Sequence, residues 1–399
     1  MKRIYDPVHH FIELTPAEAA LLDSSPMQRL RRLRQLGLAY LAFPSAEHSR
    51  FGHALGALAV GTRVFDELVR HGGAFESGEH RAYQRRLLRA ALLLHDVGHG
   101  PFSHACEDVL AIRHELRTRD ILALPEMRAH LDALDVDAAD VLALVTGEPR
   151  ARDRVLAEIV SGPNLDADRM DYLLRDAYFT GVSGGRYDAD QLVGSLRVFE
   201  IGGEHVLGID RRGVVALESF VLARYMMFAS VYFHHTTRMF ERILQRVLRE
   251  LWPDPAALEP IDEFLRWDDF RVFNELRDAP SEAARALRER ERLYAVVAEF
   301  NAEADLHVFE RCERALRERY GDAVWSDEQS QLIHRLPLQL DGHAPTVWVG
   351  TASGAVIDAR EASDLIKKIS GKAHWRKLFV ERSRADAREA RELCRSLTL

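Results

Sequence analysis

Helical periodicity of apolar residues runs through most of the chain. The segments that carry it are 27–37, 53–72, 82–94, 105–160, 166–178, 214–251 and most of 256–320. Thr15-Pro16-Ala17-Glu18 has the composition of a helix start, with Thr as the cap and Glu three residues after it. The pattern therefore predicts a mainly α-helical fold.

Short segments of β type interrupt the helical pattern. They are 3–7, 10–14, 196–201, 204–209 and parts of 338–357. The pair around Gly202-Gly203 reads as a hairpin. We divide the chain into a core over 1–240, a helical extension over 241–330, and a small mixed α/β C-terminal region over 331–399 with oligomerisation as a candidate role.

Composition excludes several classes of protein. Hydrophobic residues make up 47% and charged residues 29%, which is typical of a globular protein. We find no membrane-length apolar run and no signal-peptide pattern, and the three cysteines lie far apart, so we expect a cytoplasmic protein without disulfides. A net charge of −8 makes nucleic acid an unlikely main partner.

Histidines are concentrated in one part of the chain. Eight of the 18 fall between His48 and His114. Within that stretch an apolar helix delivers His95-Asp96 just before Gly98 and Gly100. Imidazole and carboxylate together suit Zn, Mn, Fe, Co or Ni. For this pair alone, the alternative is a buried histidine beside a capping aspartate.

Two further blocks accompany the pair. His53 begins an apolar helix upstream, and Asp168 lies in a helix rich in aspartate downstream. The order His…His-Asp…Asp with apolar helical flanks resembles the HD-domain metal-dependent phosphohydrolases. The resemblance predicts an HD-domain helical core with small β-hairpins.

The resemblance is closer to one group in that superfamily. Its blocks are Asp6-Pro7-Val8-His9, Gln28-Arg29-Leu30-Arg31, Gln35-Leu36-Gly37, Arg50-Phe51-Gly52-His53, Asp168-Arg169-Met170-Asp171-Tyr172 and Val231-Tyr232-Phe233-His234-His235. They resemble the SAM-and-HD-domain deoxynucleoside triphosphate (dNTP) triphosphohydrolases over residues 4–240. The reaction implied is water attack at the α-phosphorus, which releases a deoxynucleoside and inorganic triphosphate.

The resemblance also implies a role for individual residues. The four ligands of one divalent metal would be His53, His95, Asp96 and Asp168, with Mg accompanying the nucleotide. The acid–base residue would be His104, oriented by Glu107, with His99 and His114 contacting phosphate or supporting the site. Phosphates would be bound by Arg50, Arg169 and Arg224, and the sugar and base by Gln35, Leu36, Tyr172, Asp176 and Tyr232.

The same family resemblance also implies how the protein is regulated and how it assembles. Asp23, Gln28 and Arg31 match a guanine-nucleotide activator site, which predicts GTP or dGTP as an activator. The stretches 184–188 and 209–213 depart from the family's basic pattern. A homotetramer or homodimer is the expected assembly.

Two other functions fit part of this pattern. Another HD phosphohydrolase, acting on a nucleotide monophosphate, a cyclic nucleotide or guanosine tetraphosphate, would keep the metal ligands. It would have no use for Arg50, Arg169, Arg224 and Tyr232. A nucleotide-sensing module with a vestigial metal site would not need the intact ligand set.

Overall fold

The fold is mainly α-helical with small sheets, as predicted. The computed structural model describes residues 1–72, 75, 77–110, 113–162, 164–332, 347–369 and 372–398. The helices of the first half are α1 Pro16–Leu22, α2 Ser25–Arg29, α3 Arg50–Arg70, α4 Glu79–Leu94, α5 His104–Leu110, α6 His114–Leu122, α7 Pro125–Ala133, α8 Ala138–Thr146, α9 Arg154–Ser161, α10 Ala167–Thr180 and α11 Ala189–Ser195. Those of the second half are α12 Val214–Met227, α13 His235–Leu251, α14 Ile261–Leu265, α15 Asp269–Asp278, α16 Glu282–Arg288, α17 Leu306–Tyr320, α18 Ala359–Ala362, α19 Asp364–Ile369 and α20 Ala387–Thr398.

Nine strands form three small sheets in the described residues. They are β1 Lys2–Asp6, β2 His10–Leu14, β3 Leu196–Ile201, β4 Glu204–Asp210, β5 Tyr294–Phe300, β6 Val324–Leu332, β7 Trp348–Gly350, β8 Val356–Asp358 and β9 Lys372–Glu381. Their orders are β1-β2, β3-β4-β7-β8 and β5-β9-β6. The predicted hairpins β1-β2 and β3-β4 are both confirmed as antiparallel pairs.

The N-terminal helix begins as the sequence predicts. The Thr15 hydroxyl accepts the Glu18 N–H at 3.2 Å, and the Glu18 carboxylate accepts the Thr15 N–H at 2.8 Å. This reciprocal capping box satisfies two N–H groups that the helix leaves without partners. Arg89 of α4 binds the same carboxylate, so the cap also ties α1 to the core.

The main core is built around α3, which packs against α4 and α10. Close approach of α3 to α4 requires Gly61, because a Cβ at this position would lie 2.4 Å from Leu92 Cδ1. Buried leucine and alanine side chains fill the rest of these contacts. The result is a rigid frame of three helices, which the candidate site uses.

A second core lies between α13, α16 and the neighbouring helices, and a third lies under the sheet β5-β9-β6. Here one expectation was wrong, since Tyr294–Phe300 is a strand within a segment predicted to be helical. Tyr, Val and Phe in this segment favour a strand locally, and pairing with β9, almost 80 residues later, completes it. The predicted strands near Ile357 are confirmed as β7 and β8, while 338–346 lies outside the described residues.

One apolar helical stretch was underestimated from the sequence. Arg211–Tyr232 is 22 residues long, and its most apolar window has a mean hydropathy of 1.6. By length and composition alone it could cross a membrane, but half of that window is buried inside the protein. Phe220 and Val221 are among its buried side chains. Packing into the core explains why the buried half of this window is apolar.

Candidate metal centre

Three elements of the main core bring the predicted metal ligands together. His53 lies in the first turn of α3, His95 and Asp96 directly follow α4, and Asp168 lies in the first turn of α10. The close packing of α3 against α4 and α10 therefore sets the distances between them. We call these four residues the metal cluster.

The ligand atoms of the metal cluster converge on one point. The Nε2 atoms of His53 and His95 are 3.1 Å apart, and His53 Nε2 is 2.9 Å from Asp168 Oδ1. Asp96 completes the group, with Oδ1 at 3.5 Å from His95 Nε2. The ligand atoms of His53, His95 and Asp168 lie close enough together to hold a single cation, and Asp96 borders them.

The hydrogen bonds behind the imidazoles show that the cluster fits a divalent metal. His95 Nδ1 lies 2.8 Å from the carbonyl oxygen of Leu92, and His53 Nδ1 lies 2.7 Å from Asp171 Oδ2. Each Nδ1–H therefore has an acceptor, so that both Nε2 atoms can offer their lone pairs to one metal ion. Without a metal, two lone pairs at this distance would repel, which favours a proton on one of the Nε2 atoms.

The electrostatics of His53 lead to the same conclusion. Burial lowers the pKa of His53, but its hydrogen bonds to the Asp168 and Asp171 carboxylates and the nearby charge of Asp96 outweigh burial and raise the pKa to about 10. The surrounding carboxylates thus attract positive charge to His53 Nε2. A metal would replace a proton there, as metal binding to imidazole requires.

Asp171 is a functional residue that the sequence analysis did not single out. It is fully buried, and besides His53 it accepts hydrogen bonds from His9 at 2.6 Å and Arg175 at 2.9 Å. Gly56 makes room for it, because a Cβ there would lie 1.9 Å from Asp171 Oδ1. The His9 and Asp171 blocks of the sequence were the available signal, but only the fold shows that they meet.

Arg50, predicted to bind phosphate, is held beside the metal cluster. Its Nη1 donates to Asp96 Oδ2 at 2.5 Å, and its Nε donates to Ser103 Oγ at 2.9 Å. Burial would raise the pKa of Asp96, but Arg50, His95 and His99 hold it well below its usual range. Asp96 is therefore an ionised ligand at neutral pH.

His99, Glu107 and His114 form a second group, which we call the Glu107 cluster. Glu107 Oε1 lies 2.7 Å from His114 Nδ1 and 3.6 Å from His99 Nδ1, and the two rings stack with centroids 4.0 Å apart. His99 Nε2 also lies 3.3 Å from Asp96 Oδ1, so the two clusters touch. His104 is the first residue of α5, and its side chain lies outside the described residues.

Charge balance explains the protonation of the Glu107 cluster. Burial lowers the pKa of His114, but the hydrogen bond and charge of Glu107 outweigh it and raise the pKa. Burial, Arg50 and His114 together push the pKa of His99 well below its usual range. One imidazole is thus set to carry a proton and its stacked neighbour is not.

A cavity of about 1380 Å³ opens beside both clusters. The predicted site residues that line it are His95, Asp96, Asp168, His99, His114, Gln35, Leu36, Arg50, Tyr172, Asp176 and Tyr232. Gln329 of β6 and Arg238 and Glu241 of α13 line it too. No feature of the sequence predicts that α13 and β6 reach this cavity.

Two predicted phosphate-binding arginines are engaged elsewhere. Arg169 binds Asp166 and the carbonyl of Gly162, and Arg224 donates to the Tyr172 hydroxyl at 2.8 Å. Neither side chain is part of the cavity wall described above. Arg224 nevertheless holds the hydroxyl of Tyr172, a residue that does line the cavity.

The predicted sugar-binding residues form a connected group. The Tyr232 hydroxyl donates to Asp176 Oδ2 at 2.8 Å, and His48 Nε2 lies 2.7 Å from Asp176 Oδ1. The rings of Tyr172 and Tyr232 meet edge to face with centroids 6.2 Å apart. His48 is a further residue that the sequence analysis did not assign.

The predicted activator residues lie outside this cavity. Arg31 Nε donates to Gln28 Oε1 at 2.9 Å, and the Arg31 guanidinium lies 3.5 Å from the Phe51 ring centroid. Asp23 pairs with Lys2 at 3.2 Å on the surface. The activator role stays a prediction.

Comparison with known proteins identifies relatives over much of the chain. Residues 187–328 match the model of the HD associated region. An uncharacterized protein of Bacillus subtilis, YwfO, is 38% identical over 249 residues, or 61% of this chain and 54% of the relative. Human deoxynucleoside triphosphate triphosphohydrolase SAMHD1 is 30% identical over 240 residues, or 51% of this chain and 37% of the relative.

Solved structures extend the likeness to the whole chain. A crystal structure of a hypothetical protein from Aquifex aeolicus superposes with a TM-score of 0.83 at 30% identity, covering 98% of this chain and 99% of that one. A phosphohydrolase from Bacteroides thetaiotaomicron shares the fold, with a TM-score of 0.75 at 24% identity, covering 95% of this chain and 99% of that one. The chain spans about half the length of the first curated relatives it matches. These matches support an HD-domain family like that of the dNTP triphosphohydrolases for this chain.

Proposed function

We propose that this protein is a metal-dependent phosphohydrolase that cleaves dNTPs to a deoxynucleoside and inorganic triphosphate. The observation that carries the proposal is the metal cluster, in which His95, Asp96 and Asp168 line a cavity and the fully buried His53 has its Nε2 atom 3.1 Å from that of His95. A divalent metal bound there would supply Lewis acidity toward a phosphate oxygen. The relatives named as dNTP triphosphohydrolases support dNTPs as the substrate.

Arg50 would bind the phosphates next to the metal cluster. Its guanidinium is buried and already oriented by Asp96 and Ser103, so little side-chain freedom is lost on binding. A charged fork in a dry site binds phosphate oxygens more strongly than it would in water. In this proposal Arg169 and Arg224 act after a local change of partner, because both are engaged in the present arrangement.

The Glu107 cluster and His104 would transfer protons during the reaction. An imidazole suits this role because its pKa lies near the working pH. Glu107 raises the pKa of His114 against the effect of burial, which keeps a proton available beside the leaving 5′-oxygen. His104 opens α5, the helix that carries Glu107, and we propose it as the acid on the basis of the family resemblance.

Selection of deoxynucleotides would come from Tyr232. Its hydroxyl is fixed by Asp176, which His48 holds from the other side. A ring fixed in this way cannot move aside for a 2′-hydroxyl, so ribonucleotides would be rejected by steric exclusion. Asp176 would have an oxygen near the sugar.

The test is a product assay with metal-loaded protein. Each of the four dNTPs is incubated with protein loaded separately with Mn, Fe, Co, Ni or Zn, in the presence of Mg. Inorganic triphosphate is measured against pyrophosphate and phosphate. We expect triphosphate with dNTPs and at least tenfold less with the matching ribonucleotides, by analogy with other steric discrimination. Release of other products would favour the alternative HD phosphohydrolases, tested with nucleotide monophosphates, cyclic nucleotides and guanosine tetraphosphate.

Activation and assembly belong to the same proposal. We propose that GTP or dGTP binds at Asp23, Gln28 and Arg31 and that the protein forms a homodimer or homotetramer. The support is the resemblance of Asp23, Gln28 and Arg31 to the family's activator site. If neither nucleotide changes turnover or the mass measured by light scattering, the activator proposal is wrong.

A further inference from the structure

The turn at Phe102 and Ser103, between His99 and Glu107, has an unusual backbone. Phe102 and Ser103 have φ angles of 52° and 51°, in the left-handed region that side chains other than glycine rarely occupy. Both residues are buried. Consecutive residues in this conformation persist only where their surroundings hold them. The turn matters because Ser103 Oγ accepts two hydrogen bonds from Arg50.

A buried carboxylate from a distant helix holds this turn. Asp269, the first residue of α15, is fully buried, and its Oδ1 accepts the N–H of Phe102 at 2.9 Å. The Phe102 ring packs edge to face on Phe273 of the same helix. Both the backbone and the side chain of Phe102 are therefore fixed by α15.

The other oxygen of the same carboxylate holds a second segment of the cavity wall. Asp269 Oδ2 accepts the N–H of Arg34 at 2.9 Å. The next two residues, Gln35 and Leu36, line the cavity, as do Phe102 and Ser103 of the turn. One side chain thus connects the two segments, which lie almost 70 residues apart in the sequence.

Resting on the proposed function, we infer that Asp269 is a positioning residue for phosphate binding and hydrolysis. By holding the Phe102 and Arg34 amides at once, it sets the distance between the cavity wall at Gln35 and the turn that orients Arg50 through Ser103. It touches neither the metal cluster nor the cavity. A neutral amide at this position could accept at only one atom, because its NH₂ group would face an N–H donor.

The test compares Asp269→Asn with Asp268→Asn. Asp268 is the adjacent N-cap, binds Arg32 and the Arg271 amide, and touches neither segment of the wall. Turnover, KM, metal content and the thermal midpoint are measured for both variants and the wild type. We expect Asp269→Asn to keep its metal and lose about 10- to 100-fold in kcat, as small displacements of catalytic geometry do. Asp268→Asn should retain wild-type kcat.

Hydrogen exchange provides a readout that does not depend on activity. In Asp269→Asn, the amides of 34–36 and 99–103 should exchange faster together, whereas in Asp268→Asn they should not. Unchanged exchange of these segments in Asp269→Asn would overturn the inference. If the wild type is active, an equal kcat per metal-loaded protein in Asp269→Asn would overturn it too. A wild type that holds metal but hydrolyses no dNTP would instead refute the proposed function, and the exchange result would still decide the role of Asp269.

Discussion

The metal cluster and the Glu107 cluster contain the same types of residue but are arranged in opposite ways. In the metal cluster, acceptors lie behind the imidazoles, and the Nε2 atoms converge on an open centre. In the Glu107 cluster, the carboxylate itself lies between the two Nδ1 atoms. The first arrangement needs a cation from outside, while the second is balanced by its own ion pair. The contrast favours the proposed metal binding at the first cluster and the proposed proton transfer at the second, although both contain metal-ligand residue types.

The largest expected effect tests the metal cluster. His95→Ala combined with Asp96→Ala removes two of the four ligands and should abolish stoichiometric metal and lower triphosphate release by at least about a thousandfold. Elemental analysis and the product assay measure the two effects. His71→Ala is the control, because His71 lies at the partly exposed end of α3. Normal triphosphate release in the double variant would refute the assignment.

Glu107→Gln tests whether the Glu107 cluster acts in turnover without binding the metal. The amide cannot raise the pKa of His114 as the carboxylate does, so turnover should fall about 10- to 100-fold while one equivalent of metal is retained. The pH above which activity declines should also move downward, since a lower pKa releases the proton earlier. Asp120→Asn, on the same helix as His114, is the control. Loss of metal in Glu107→Gln would mean that this cluster binds the ion.

Asp171→Asn tests the hydrogen bond behind His53. The change weakens the acceptor that orients the ring, so metal affinity should fall about 10- to 100-fold. Competition with a chelator measures it. Asp140→Asn removes another buried carboxylate, one bound by Tyr83 away from the metal cluster, and should leave the affinity unchanged. Equal affinities for wild type and Asp171→Asn would show that the fold alone orients His53.

The smallest expected effect concerns pH and metal removal. In metal-free protein the pKa of His53 is raised to about 10, above its unfolded value, so its stabilising contribution is complete below about pH 6.5. That contribution is lost as the pH rises from there through about 10. Thermal midpoints of metal-free protein should therefore decline over this range relative to metal-loaded protein, in which no proton occupies the position. Parallel pH curves for the two forms would contradict this.

The sequence was sufficient for the residues with local signals. His53, His95, Asp96 and Asp168 each sit at a helix end with apolar flanks, and the fold brings them together as expected. The capping box at Thr15 and the hairpin at Gly202-Gly203 likewise depend on adjacent residues.

The parts that could not be predicted depend on contacts between distant segments. Asp171 reveals its role only through His9 and His53, and Asp269 only through Arg34 and Phe102. The partner of strand β5 is β9, which is distant in the sequence. A single sequence shows residue types at each position, but not which distant partner satisfies them.

The most direct test of the central claim is phosphorus NMR of dNTP turnover in ¹⁸O-labelled water. Metal-loaded wild type should release inorganic triphosphate that carries the label, because water attacks the α-phosphorus and the 5′-oxygen leaves with the deoxynucleoside. Protein stripped of metal should release none until metal is restored. Labelled pyrophosphate or phosphate as the product, or turnover unaffected by metal removal, would contradict the proposed role of the metal cluster.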